Sequence, residues 1–170
     1  AYDLVRRVKF AKYMLKTYGT DVWKNSISFY LDGTCFVHKF NLADQARTTK
    51  AREWRQKSEG LKRGCTTKGR KVGNGGRCAH FLVSISYGKG VIACDQYEKM
   101  NGPFFASYVA KNFEHLFARS INPESKLFLQ DGDPSQNSKA AKVEMEKLNV
   151  KQLSIPPRSP DINPIENLFN

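Results

Sequence analysis

The chain of 170 residues is long enough for one domain with a sizeable core. Charged residues at 26% and hydrophobic residues at 40% exclude a disordered composition, and no apolar run nears the ~20 residues that span a bilayer. The net charge of +12 is segregated: residues 41–79 carry eleven Lys/Arg against three Asp/Glu, residues 1–25 carry +4, and residues 121–170 sum to −1. A basic surface beside an acidic segment suits a polyanion held next to bound cations, and a merely soluble basic protein would not need that segregation. The four cysteines, Cys35, Cys65, Cys78 and Cys94, show no C-x-x-C spacing and read as thiols in a reducing compartment. Cys78 and His80 are close in sequence, but two ligands do not make a metal site.

Residues 3–17 place Leu4, Val8, Ala11 and Leu15 at helical spacing, with Asp3 as N-cap and Tyr18-Gly19 as the stop. This reads as a packing helix with a solvated basic face, and as a region leading from an upstream domain. Ser26–Asp32 alternates, with Ile27, Phe29 and Leu31 on one face and Ser28, Tyr30 and Asp32 on the other. Taken alone, Asp32-Gly33 predicts a hairpin turn into a second strand at Cys35–Phe40. Residues 41–79 are basic and glycine-punctuated, with Trp54 set among basic side chains. They predict either a DNA- or partner-contacting arm or a solvated insertion.

His80–Ser86 and Val91–Tyr97 flank Tyr-Gly-Lys-Gly and predict a hairpin. A helix then runs from Pro103 to Arg119, with Phe105, Tyr108, Val109, Asn112 and Leu116 along one side. A buried strand at Lys126–Gln130 ends on Asp131; a helix over 138–148, a strand at Lys151–Ile155 and a proline-rich corner follow. A last helix starts beyond the corner, near Glu166. The order predicts an α/β fold: a mixed sheet with flanking helices and a long basic insertion after the second strand.

Three carboxylates stand out. Singly, Asp131-Gly132 is a turn, and Asn163-Pro164-Ile165-Glu166 is a capping box with Asn163 as cap. Together, Asp32, Asp131 and Glu166 fall at element ends that can meet at one sheet edge. Crowded carboxylates repel, so such a cluster is tolerable mainly when cations neutralise it.

LFLQDGDPSQNS followed by IPPRSPDINPIENLF closely resembles the catalytic domain of Tc/mariner-superfamily transposases. In that family a strand ending in Gln-Asp carries the second catalytic Asp, and a Ser-Pro-Asp-x-Asn-Pro-Ile-Glu-Asn motif carries the catalytic Glu. The 34 residues between Asp131 and Glu166 match the Tc-like branch; the mariner branch proper ends its triad in Asp. EWRQKSEGL and GNGGR resemble the family's Trp-Arg…Glu and Gly-Gly stretches. Leu-Asp-Gly-Thr at Asp32 and Gly132-Asp133 depart from the usual pattern, and Asp133 is given no role. The SPDINPIEN corner sets the chain apart from ribonucleases H and resolvases of the same fold.

The resemblance implies a ribonuclease-H-like catalytic domain over 26–170, cut short at its C-terminus, after a region 1–25 that leads from a DNA-binding domain. It implies cut-and-paste transposition, with Asp32, Asp131 and Glu166 binding two Mg²⁺ ions and Mn²⁺ as a substitute. Its partners would be double-stranded DNA with terminal inverted repeats and a TA target, bound by a homodimer or higher assembly in the nucleus, with no membrane. Arg47, Arg52, Trp54, Arg55, Lys57, Lys62, Arg63, Arg70, Lys71, Arg77 and Arg158 would contact that DNA. The alternative is a decayed or domesticated transposase that binds DNA without cutting it.

Overall fold

Alternating hydrophobic residues build a strand that faces two cores at once. In the computed structural model, which describes residues 2–39, 76–157 and 159–169, that strand is β1 (Phe29–Lys39). It follows two helices, α1 (Tyr2–Tyr18) and the short α2 (Val22–Asn25). Next come β2 (Gly76–Ser86), β3 (Gly90–Tyr97), α3 (Gly102–Arg119), β4 (Leu127–Gln130), α4 (Lys139–Lys147), β5 (Lys151–Ser154) and α5 (Glu166–Phe169). The sheet order is β3-β2-β1-β4-β5. β2 and β3 are antiparallel, whereas β4 runs parallel to both β1 and β5, so the sheet is mixed as expected.

The expected hairpin turn at Asp32-Gly33 does not form. β1 continues through both residues, so the two predicted strands are one and the basic segment follows the first strand, not the second. Gly33 instead leaves room beside Tyr97: a Cβ there would lie a tight 3.2 Å from the Tyr97 hydroxyl. The chain divides into two units, Ala1–Thr34 with His80–Asn170, and Cys35–Ala79. Residues 40–75 of the second unit lie outside the described residues.

One core packs α3 and α4 on the sheet through Phe29, Leu31, Phe105, Phe113, Phe117 and Phe128. The rings of Phe29 and Phe128 stack at 5.3 Å between centroids, and Phe113 meets both edge-on at 5.5 and 5.0 Å. Phe113 and Phe117 were not in the stripe expected for this helix. Asn112, which was, is half-buried and donates its side-chain amide to the Tyr108 carbonyl. Asn101 caps α3 by accepting from the Phe104 N–H. Gly102 allows α3 to start against Ser138, the cap of α4, because a Cβ would come within 2.8 Å of that side chain.

The other core holds Met14, Tyr30, Val83, Leu129, Leu153 and Ile165. Ile27 also belongs here: it precedes β1 and does not share the face of Phe29. α1 contributes Phe10, Met14 and Tyr18, one turn apart. The stripe expected to pack is instead outward, with Leu4 at 65% and Leu15 at 59% exposure. Asp3 lies inside the first turn of α1 and is not its cap, while Gly19 ends the helix at φ +78°.

Phe113 sits fully buried where α3 crosses the β1–β4 pair, so its truncation leaves a cavity under both strands. Phe113→Ala should cost about 3–5 kcal/mol, and Phe113→Leu clearly less. Urea unfolding checks this, and equal midpoints for the two variants would contradict it.

Candidate active site

The parallel register of β1 with β4 pairs Leu31 with Gln130, so Asp32 and Asp131 each stand one residue past the last registered pair. Asp32 is thus within its strand, and Asp131 just beyond the end of its own. One Asp32 oxygen accepts from the Gly33 N–H at 2.7 Å, and the other accepts from the Asn163 side-chain amide at 3.4 Å. An Asp131 oxygen accepts from the Asp133 N–H at 3.1 Å, which holds the carboxylate back over the turn. Asp133 accepts from the N–H groups of Ser135 and Gln136 and so orders that turn.

Asp131 borders two hollows. One, of about 150 Å³, also has Asp32, Tyr97, Met100, Asp133 and Gln136 on its walls. The other, of about 420 Å³, runs from Asp131 along the proline corner to Glu166. The structure therefore brings together all three predicted carboxylates. The Asp32 pKa is pushed up to about 7. Burial is the first cause and the Asp131 charge the second; the Gly33 N–H opposes them, and Glu166 adds to the rise.

The proline corner is tied to α1. Arg7 donates two hydrogen bonds to Asp161, at 2.9 and 2.6 Å, and a third to the buried Ser159 hydroxyl at 3.3 Å. Asp161 is accordingly held below the usual carboxylate range, first by the Arg7 hydrogen bond. The predicted capping box is absent. Asn163 is 2% exposed and donates toward Asp32, while its side-chain oxygen has no partner and its main-chain oxygen accepts from Glu166 N–H. α5 begins at Glu166 itself. The capping pattern loses because the amide is drawn to a carboxylate that desolvation leaves short of donors.

Of the predicted DNA contacts, Arg47, Arg52, Trp54, Arg55, Lys57, Lys62, Arg63, Arg70, Lys71 and Arg158 lie outside the described residues. Arg77 is in β2, with only its backbone described.

Hard oxygen donors are what Mg²⁺ or Mn²⁺ would take, and these three carboxylates supply them. Among the described residues, however, no group of three or more His, Cys, Asp or Glu side chains is already arranged to hold a metal ion. The donors fit in kind, and side-chain adjustment would be needed to close around a cation.

No family model matches the chain. A 61-residue stretch is 38% identical to the transposable element Tcb2 transposase of Caenorhabditis briggsae, covering 36% of this chain and 22% of that protein. Among solved structures, the Mos1 mariner paired end complex with Mn matches at TM-score 0.67 and 20% identity, over 99% of this chain and 47% of that one. The catalytic domain of Mos1 mariner transposase matches at TM-score 0.61 and 17% identity, over 99% and 68%. The resemblance to Tc/mariner transposases holds in sequence and in fold. The sheet is that of the ribonuclease-H-like Mos1 catalytic domain. The chain spans just under half of the Mos1 chain in the paired end complex.

Set against the transposase pattern, several site neighbours escaped the sequence reading: Arg7, Tyr97, Gln136, and Asn163 as a partner of Asp32. The motif itself held a signal for Asn163, since an amide three residues before an acidic group can serve a site as well as a helix end. Tyr97 and Arg7 carried no such signal, because their proximity is created only by tertiary packing.

In the unfolded chain Asp32 ionises near its ordinary value of 3.8, whereas the folded carboxyl keeps its proton up to about 7. Its contribution to stability is thus present below about pH 4 and lost as the pH rises through 7. In EDTA at pH 8, Asp32→Asn should stabilise the protein by about 1–2 kcal/mol, solvent screening allowed for. The melting temperature of the variant should also fall less between pH 5 and pH 8 than that of the wild type. Parallel pH profiles would refute the coupling.

Proposed function

We propose that this chain is the catalytic domain of a cut-and-paste DNA transposase that hydrolyses and joins phosphodiester bonds at transposon ends. The observation that carries this reading is the placement of Asp32 beside Asp131 by the parallel β1–β4 pair, with Glu166 close enough to add to the Asp32 shift. It is supported by the similarity to the Tcb2 transposase and by the fold shared with Mos1, whose solved forms include a strand transfer complex.

Asp32, Asp131 and Glu166 would hold divalent cations, most naturally two Mg²⁺ ions, with Mn²⁺ able to replace them. Bound there, the ions supply activation of the attacking oxygen and charge neutralisation on the departing one in an in-line displacement at phosphorus. The protein's own part is to orient its carboxylates. The Gly33 N–H and the Asn163 amide fix Asp32, the Asp133 N–H fixes Asp131, and the Arg7-bound corner sets where Glu166 begins its helix. No Ser, Cys or Tyr nucleophile is required, since the attacking group is water or a DNA 3′-hydroxyl.

The substrate would be double-stranded DNA bearing terminal inverted repeats, inserted at TA dinucleotides, and the working form a homodimer or higher assembly in the nucleus. The basic segment 41–79, at a net charge of +8, would grip the DNA backbone and make binding salt-dependent. A binding protein that had lost cleavage would have no need of three crowded carboxylates, which weigh against DNA binding by repulsion.

Asp131→Asn should lower Mg²⁺-dependent nicking of an inverted-repeat end by about 10³-fold or more. It should bind that DNA at least as tightly as the wild type at the same salt concentration, one negative charge having gone. Equal cleavage by the two proteins would defeat the assignment.

A further inference from the structure

We propose that Cys35 and Cys78 form a reversible disulfide that closes the basic unit at its base. Cys35 lies on β1 and Cys78 on β2, and these strands are neighbours in the sheet. The two thiols share a hydrogen bond, and both cysteines are free and exposed. They also sit at the two ends of the unit Cys35–Ala79, one on the strand that enters it and one on the strand that leaves it. A covalent link between them would enclose the 42 intervening residues, nearly all of the basic segment.

The cysteines are otherwise an odd feature of an exposed surface. Free cysteine is usually buried, and two exposed thiols in contact on adjacent strands have no packing role to explain them. Cys94, also exposed, stands opposite Val83 on β3 and so serves as an internal control. The Cys35 thiol lies above its ordinary pKa, through desolvation first and the Cys78 hydrogen bond second, so the resting form in a reducing compartment is the dithiol.

The oxidant is a small disulfide of the glutathione class. One cysteine, as thiolate, attacks its S–S bond, forms a mixed disulfide and releases one small thiolate. The second cysteine thiolate then attacks the protein sulfur of the mixed disulfide and releases the other. The protein loses two protons and two electrons, and the small disulfide is reduced to two thiols. The link itself does not depend on the transposase reading. If that reading holds, the enclosed segment is the one that contacts DNA.

The test treats the full chain with oxidised glutathione and measures free thiols, intact mass and non-reducing peptide maps. The proposal expects a Cys35–Cys78 linked peptide that dithiothreitol releases, with no glutathione retained on Cys35 or Cys78. Cys35→Ser and Cys78→Ser should each lose that peptide and retain one glutathione on the remaining partner, while Cys94→Ser should behave as wild type. A stable glutathione adduct on wild-type Cys35 or Cys78, a link to Cys65 or Cys94, or a disulfide between chains would overturn it. Circular dichroism of each serine variant separates a lost link from a lost fold.

Discussion

A parallel ladder between β1 and β4 requires both strands to be buried on both faces, because the connecting helix must cover the sheet. The chain meets that demand with four fully covered β4 residues and with Phe29, Tyr30 and Leu31 on β1. Phe29 against Phe128 locks the register on one face, with Phe113 closing over both rings. Aromatic pairs of this kind add about 0.5–1.5 kcal/mol each beyond the area they bury. Once the register is set, the next residue on each strand is a carboxylate. A slip of one position would turn Asp32 or Asp131 to the opposite face and dissolve the site.

The same packing explains the electrostatics. Asp32 cannot move away from Asp131, because it is held within a continuous strand and not on a hairpin tip. Burial first, and the Asp131 charge second, therefore raise its pKa. A turn residue would have swung toward water and relaxed. The strand thus stores an unfavourable arrangement of charge, which binding of a cation would relieve and which the surrounding cores are large enough to tolerate.

Much of this was legible in the sequence, and the failures have a common cause. β2, β3, β4, α3 and α4 were readable from local periodicity and caps, because each is specified by residues within its own length. Asp32-Gly33 was misread as a hairpin turn because the dipeptide has the chemistry of one. What overrides it is non-local: β1 lies between β2 and β4 in the sheet and runs on through both residues. On α1 two apolar stripes compete, Leu4/Val8/Leu15 and Phe10/Met14/Tyr18. The second wins where Arg7, on the same helix, finds Asp161 some 150 residues away. No window of sequence contains that choice. Asn163 obeyed the capping pattern yet turned to Asp32, a partner 131 positions distant.

The proline corner shows how weak interactions can still decide geometry. An exposed Arg–Asp pair contributes about 0–1 kcal/mol, so the Arg7–Asp161 contact does little for overall stability. Its bidentate form, with the third bond to Ser159, nonetheless restricts the corner to one orientation relative to α1. Pro160 and Pro164 stiffen the same stretch by fixing their backbone angles. Ile165, fully buried in the second core, anchors the residue just before Glu166. The acidic side chain is thus aimed by an apolar neighbour below it and an ion pair behind it, and neither has to touch the reacting atoms.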